Sequence, residues 1–467
     1  MGELIRRNRQ KKLNWSGLLF VALAVIVFEY IISASIASAA LSTFILGVGL
    51  LLIFLSKLDS QEKSSLLYIF LISFSIVTIA TVVRWLGNEA SGPLFFNDAN
   101  DQYKFWLASQ EGANKSSIEA IYDGCIANNI YLKNGGYYFY IQSLGFIAQR
   151  YFDGNHLLLQ QLGTSFSLIF SSIFIFLILR KFSKPENVEK YSLYYIVLTP
   201  VIIDSIGLHR DSLISLFYII LIYFWLCKNL NLVNIIIQIV LCLILINFRL
   251  QHGLFAIIFL LMPFLRARRL STWFYIPAIV IAFVVYGISF FDMLVISVND
   301  TFEYYGETTS DSLDSINSGL GRYVYMLPHP IKEIVQVFWL QMQFPAWLPI
   351  VNAKNIYLLS IGILAFVIYV FWFYMFTYTV TLVCKKKTTI PKQLKIGILI
   401  FFVFILLNSS NLTLRRVICV YPLLFILYAY LKSYYNNPDF TKRFKSTFIL
   451  GYSVLCFIYV IFSATHG

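Results

Sequence analysis

Apolar runs of about 18 residues or more recur from one end of the chain to the other, each long enough to cross a bilayer. Short polar stretches separate them. The pattern predicts about thirteen membrane-spanning helices. In order they fall near residues 15–34, 41–55, 66–85, 157–179, 191–207 and 212–226, then as a tight pair around 249–253, and near 273–295. One more ends at 385, a pair turns at 413–416, and a last one follows 445. Hydrocarbon offers no hydrogen-bond partners to the backbone, so such a chain must build an all-α bundle. The first run has no small-residue cleavage site and a second follows at once, so it is read as a retained span.

The whole chain, 1–467, is read as a single integral membrane domain, interrupted by two longer segments at about 87–155 and 297–352. In the first, Ser116 with Glu119 fits a capping box, and Ile118, Ile121, Cys125 and Ile126 share one helical face. A short helix lying on the membrane surface is expected there, broken at Gly135-Gly136. The aromatic stretch 137–151 is expected to lie flat as well. The second segment runs from acidic (Asp300, Glu303, Glu307, Asp311, Asp314) through a glycine-flexed Gly319-Leu320-Gly321-Arg322 into an aromatic stretch. No internal repeat stands out.

Charge orients these spans. Of 467 residues, 59% are hydrophobic and only 13% charged, against about a quarter in soluble domains. The net charge of +13 sits in short clusters between spans, such as Arg6, Arg7, Arg9, Lys11 and Lys12, then Arg180, Lys181, Lys184 and Lys190, then Lys385 to Lys387. This is a positive-inside signal, not a nucleic-acid surface, and it puts the N-terminus in the cytoplasm. Both long segments then face outward. About two thirds of the 36 Lys and Arg fall on the inner side in this reading. The six cysteines are scattered without CxxC spacing, which indicates neither a metal site nor a disulfide framework. No P-loop or GxGxxG after a strand is present, so no nucleotide site is expected.

Candidate chemistry lies on the outer side. His209, Arg210 and Asp211 stand between two apolar runs, and ionisable groups at such depth are functional candidates by default. The positive-inside rule depletes arginine from short outer turns, yet three carry it: Arg210, Arg249, and Arg415 with Arg416. Arg322 lies in the second outer segment. If the bundle gathers these turns, they form a basic pocket whose planar guanidinium forks suit phosphate at headgroup depth. Taken singly, each arginine is equally well read as snorkelling to a headgroup. Asp98 and Asp101 open the first outer segment; they are either loop carboxylates or a general base for a sugar hydroxyl. Asp211 is either a base or an ion-pair partner of Arg210, and His252 and His209 are either functional or polar residues at helix ends. No cofactor is called for. A divalent metal at Asp98 and Asp101 would have two carboxylates and no further ligand. Glu29 stands alone in the outer half of the first span, with no partner assignable.

The layout resembles a family. An outer loop opens with Asp98, Asp101 and Tyr103, followed by Gly136-Tyr137-Tyr138, an Arg210-Asp211 turn opening a span, Arg249 after the next pair, and Arg415-Arg416 before a span containing Pro422. This is similar to bacterial Wzy-type repeat-unit polymerases of O-antigen, capsule and exopolysaccharide. More broadly it is similar to GT-C membrane glycosyltransferases that use polyprenyl-phosphate sugars. Two features depart from those patterns: the acidic loop follows the third span rather than the first, and no glycine stands eleven positions after an outer arginine. The resemblance implies a multi-pass protein of the bacterial inner membrane that acts on undecaprenyl-pyrophosphate-linked glycans in contact with membrane lipid. A chain-length regulator protein is a further implied partner, and nucleic acid is not. It implies Asp98, Asp101, His252 and Asp211 as catalytic candidates. It implies Arg210, Arg249, Arg322, Arg415, Arg416 and His209 as ligands of the lipid phosphate. The alternatives are a GT-C enzyme transferring one sugar, and a flippase or transporter of lipid-linked oligosaccharide.

Overall fold

The computed structural model describes residues 15–91, 100–127, 135–228, 231–266, 327–328, 330–343, 345–385, 389–408, 414–435 and 437–466. Among them there are helices and turns but no strand. Seven helices are long and apolar enough to cross a membrane, as expected of a multi-pass membrane protein. They are α1 (Trp15–Ser33), α2 (Ile36–Leu55), α3 (Ser60–Glu89), α7 (Leu157–Phe182), α10 (Arg210–Cys227), α15 (Ile356–Cys384) and α18 (Pro438–His466). Between α3 and α7 lie α4 (Asn100–Ala113), α5 (Ile118–Tyr122) and α6 (Gly135–Tyr151). Two pieces, α8 (Pro185–Leu198) and α9 (Val201–Ser205), lead to α10. After it come α11 (Leu232–Phe248) and α12 (Leu250–Arg266), then α13 (Ile331–Met342) and α14 (Leu348–Val351). Finally, α16 (Lys392–Asn408) and α17 (Tyr421–Tyr434) stand between α15 and α18.

The centre and edge of the bundle differ as hydrocarbon solvation requires. Of the α7 spanning window 78% is buried, of the α18 window none. Helix α18 turns Leu450, Phe457 and Val460 outward and packs Phe444 and Phe448 on Tyr374. At the core, Trp372 of α15 stacks on Tyr421 of α17 with centroids 4.0 Å apart. The Trp372 indole donates to Gln341 Oε1 of α13 at 2.9 Å, so a ring that must be dry also has its N–H satisfied.

Helix ends sort into two sets. At one, Glu62 of α3 pairs with Arg180 of α7, and Ser65 donates to Glu189 of α8. Lys181 Nζ there meets the Leu226 carbonyl of α10, and Asn187 Nδ2 donates to Ser433 Oγ at 3.4 Å. At the other, the Asp153 carboxylate accepts the Ile36 and Ala37 amides at 2.7 and 2.8 Å, capping α2 from a distant loop. Asn355 caps α15 and donates to the Gly87 carbonyl at 2.8 Å. The helices therefore run alternately between two ends, one rich in Lys, the other carrying α4, α6 and the arginine turns.

Several sequence expectations are refined. The first of the two longer segments, about 87–155, is helical over much of its described length. Helix α4 was not foreseen, because its polar composition shows little apolar periodicity. Ser117, not Ser116, caps α5, its hydroxyl accepting the Ala120 amide at 3.1 Å, and the chain then loosens into a π turn at Asp123–Ala127. Gly135 opens α6. Helices α4 and α6 cross at two glycines: a Cβ on Gly112 would lie 2.4 Å from Gln142 Cα, and one on Gly145 2.5 Å from the Ser109 carbonyl. The fifth expected span is broken at Thr199-Pro200, since proline lacks the N–H that a continuous helix needs. The expected span at 273–295 lies outside the described residues.

Candidate functional site

Five segments converge at the arginine-bearing end. The first is the turn between α9 and α10. Gly207 leaves room for the His209 ring: a Cβ there would stand 2.8 Å from His209 Cδ2. The Leu208 amide donates to Gln102 Oε1 of α4 at 3.3 Å. His209, 5% exposed, is the N-cap residue of α10, and its carbonyl accepts from Ser212 Oγ at 2.8 Å. Arg210 and Asp211 then fall in the first turn of α10, where the helix dipole favours the carboxylate.

The α11–α12 hairpin supplies the second segment. Arg249 turns the chain in a single extended residue (φ −168°, ψ 114°), and its amide still closes α11 on the Leu245 carbonyl at 2.8 Å. The two helices touch at Gly253, where a Cβ would lie 2.3 Å from Ile246 Cγ1 and 2.5 Å from its backbone nitrogen. This close turn directs Arg249 Nη1 to Asp211 Oδ1 at 3.3 Å, with both side chains buried, 9% and 6% exposed. The distance is that of an ion pair rather than a short charge-assisted bond. His252 lies one turn further along. The hydroxyl of Tyr218 donates to its carbonyl at 2.8 Å, and its Nδ1 faces Cys419 Sγ at 3.6 Å.

The third segment is a pair of 3-10 turns, Leu414–Arg416 and Ile418–Val420, running into α17 with Pro422 in its first turn. Arg415 Nη2 donates to Asp101 Oδ2 of α4 at 2.6 Å. That pair is open, with the side chains 27% and 38% exposed. Helix α4 is the fourth segment and α6 the fifth. The Phe105 ring meets Tyr137 edge-on at 4.7 Å, and Tyr138 lies within electrostatic reach of Arg210 and Asp101.

Asp211 is the hub. Arg210, Arg249, Arg415 and His252 all act on it, Arg210 is also influenced by Asp101 and Arg415, and Arg416 acts on His252. Among the described residues just named, four arginines stand with two carboxylates, Asp101 and Asp211, an excess of two positive charges within that group. Such an excess away from bulk water attracts an anion strongly, and guanidinium forks favour the oxygens of a phosphate.

The sequence candidates fall into three groups. Arg210, Asp211, Arg249, His252, Arg415, Arg416, Asp101 and His209 are brought to this end of the bundle. Asp98, Arg322 and His329 lie outside the described residues, so the Asp98–Asp101 pairing has no geometry here. Elsewhere, His156 pairs with Asp153 at 3.4 Å, and Trp347 packs edge-on against Tyr459 at 5.7 Å. Among the described residues no three His, Cys, Asp or Glu side chains are grouped as metal ligands. The His252 ring, 2% exposed, is walled by Phe404 and Tyr218 with centroids 5.5 and 5.8 Å away. That setting suits holding the hairpin more than touching a glycan hydroxyl.

No family model, curated protein or solved structure matches the chain.

Sequence reasoning missed Gln102, Tyr218 and Cys419. Tyr218 carries a signal: it lies seven positions after Asp211 and so shares its helix face. Gln102 and Cys419 carry none, since each is defined by a partner more than a hundred residues away.

Proposed function

We propose that the protein is a membrane glycosyltransferase that acts on polyprenyl-(pyro)phosphate-linked glycans at the periplasmic face of a bacterial inner membrane and polymerises repeat units of O-antigen, capsule or exopolysaccharide. In this reading thirteen helices cross the bilayer, the N-terminus is cytoplasmic, and the lysine-rich helix ends face the cytoplasm. One observation carries the proposal: arginines from three distant turns gather around Asp211 at the opposite end of the bundle.

The chemistry follows from charge. The acceptor hydroxyl oxygen attacks the anomeric carbon of the donor glycan. The bond from that carbon to the pyrophosphate oxygen breaks, and the electron pair leaves with the pyrophosphate. Arg210, Arg249, Arg415 and Arg416 offset the charge that builds there. The hydroxyl proton passes to a carboxylate, either Asp101 at the open edge or Asp98, three positions earlier in the sequence. Asp211 holds the guanidinium groups in place.

A second reading, a flippase for the lipid-linked glycan, is favoured by the break between α8 and α9 beside the site, since transporters use discontinuous helices. Glycan electrophoresis in a deletion strain complemented with Arg210→Ala or Arg249→Ala separates the readings. Polymerisation predicts loss of the ladder with one repeat unit retained and protein level unchanged. Normal ladders in both variants sink the proposal. A one-sugar shift supports single-sugar transfer, and repeat units trapped on the cytoplasmic leaflet support a flippase.

A further inference from the structure

A second cluster of charge lies at the lysine-rich end of the bundle, opposite the arginines. Lys432 of α17 is partly buried. Its Nζ stands 4.0 Å over the Tyr378 ring of α15 and donates to Thr441 Oγ1 of α18 at 3.4 Å. The Tyr378 and Thr441 hydroxyls share a hydrogen bond at 3.4 Å. Among the described residues no carboxylate acts on Lys432; the charge that does is Lys190 of α8, another cation. Lys190 Nζ lies over the rings of Tyr194 and Tyr191, 5.4 and 5.9 Å from their centroids.

Aromatic contacts tie the two lysines together. Tyr191 meets Tyr428 of α17 edge-on at 6.2 Å, and Tyr428 meets Tyr378 at 6.0 Å, so a continuous row of phenols joins Lys190 to Lys432. The hydroxyls of this row lie within electrostatic reach of one another. A ring face attracts an ammonium without cancelling its charge. Two cations drawn to one row of rings repel, and the partial burial of Lys432 weakens screening by water. An ammonium carries three N–H donors. Tyr378 and Thr441 take two of those on Lys432, which leaves one for an anion. Lys190, Tyr378, Lys432 and Thr441 each lie within about two turns of the end of their helix, at the level of lipid headgroups.

We propose that Lys190, Lys432, Tyr378 and Thr441 bind the phosphate group of an anionic phospholipid in the leaflet at this end. An anion between the two ammonium groups turns their repulsion into two attractions. The Tyr378 and Thr441 hydroxyls each have a donor to offer its remaining oxygens. The acyl chains find an apolar surface alongside, since α18 continues from Thr441 to the outward-facing Leu450 and Phe457. A zwitterionic headgroup fits less well, because its own cation meets the two lysines. The site stands apart from the glycan reading and needs none of its residues.

Native mass spectrometry of the full chain in detergent tests it, by titration with phosphatidylglycerol and, separately, with phosphatidylcholine. The wild-type protein should bind phosphatidylglycerol about tenfold more tightly. Lys190→Gln combined with Lys432→Gln should remove that preference. Lys442→Gln combined with Lys445→Gln takes the same charge from exposed positions of α18 and should leave the preference in place. Equal losses in the two pairs would reduce the effect to surface charge and overturn the site. So would a preference kept in the Lys190 and Lys432 pair, or equal affinity of the wild type for both lipids. Excess inorganic phosphate should not displace the bound lipid; displacement would overturn the lipid assignment in favour of a free phosphate. Because the Lys190 and Lys432 pair could fail to fold, the wild type is also melted in micelles doped with each lipid. A higher midpoint with phosphatidylglycerol supports the site, and equal midpoints overturn it.

Discussion

Replacing Asp211 by Asn keeps the shape of the side chain and removes a negative charge buried among the arginines. Arg249 is then left buried with no carboxylate at 3.3 Å, and Arg210 and Arg415 lose the same neighbour. Breaking a buried pair from one side costs about 3–5 kcal/mol, a large part of the roughly 5–15 kcal/mol that holds a protein folded. Arg249→Met should cost less, because Asp211 keeps Arg210 beside it. The double variant removes both buried charges, so its cost should fall short of the sum of the two singles by about 2 kcal/mol, within the range of directly coupled residues. The assay is reversible unfolding in mixed micelles, followed by helical circular dichroism against denaturing-detergent mole fraction. The reasoning fails if each single variant costs under about 0.5 kcal/mol, or if the two costs add.

The open pair behaves differently. Asp101→Asn removes a partly exposed contact worth about 1 kcal/mol or less, so unfolding should be nearly unchanged while glycan ladders are lost; ladders at wild-type level would remove Asp101 from the chemistry. Gly253→Ala forces the α11–α12 hairpin apart at Ile246 and should cost about 1–3 kcal/mol, with ladder loss. Unchanged melting would mean that the hairpin is not so tightly closed as the Gly253 contact implies. Asp153, in the loop before α7, gives a pH effect. Its burial acts to raise the carboxyl, but the Ala37 and Ile36 amides and the His156 charge together outweigh this and hold it below the usual carboxylate range. A depressed folded value means that its stabilisation is present above about pH 4 and is lost as pH falls through the folded value. Wild type and Asp153→Asn should therefore differ in melting temperature at neutral pH and converge in acid. A constant gap would contradict the cap.

Much of the helical layout was legible because hydrocarbon permits few alternatives: an 18-residue apolar run such as that of α10 has to be a helix. The arginine turns were legible for a related reason, since Arg210, Arg249 and Arg415 stand in short turns between apolar runs, where a charge is costly. What pairs with what was not legible. Asp101 and Arg415 are 314 residues apart, and Asp211 is hydrogen-bonded to Arg249 rather than tied only to the adjacent Arg210. Helix α4 escaped notice because a helix packed on α6 through Gly112 and Gly145 needs close backbone approach rather than an apolar stripe. Glu29 had no visible partner because serine is too common in apolar spans for Ser42 to mark itself.

The central claim is that the gathered arginines hold the phosphates of a polyprenyl lipid. Native mass spectrometry of the full chain with undecaprenyl diphosphate tests it directly, with Lys184→Ala at the opposite end of the bundle as the control. Wild type and Lys184→Ala should retain the lipid, and Arg415→Ala combined with Arg416→Ala, at the partly exposed edge of the cluster, should release it while still folding. Equal retention by all three proteins would contradict the account.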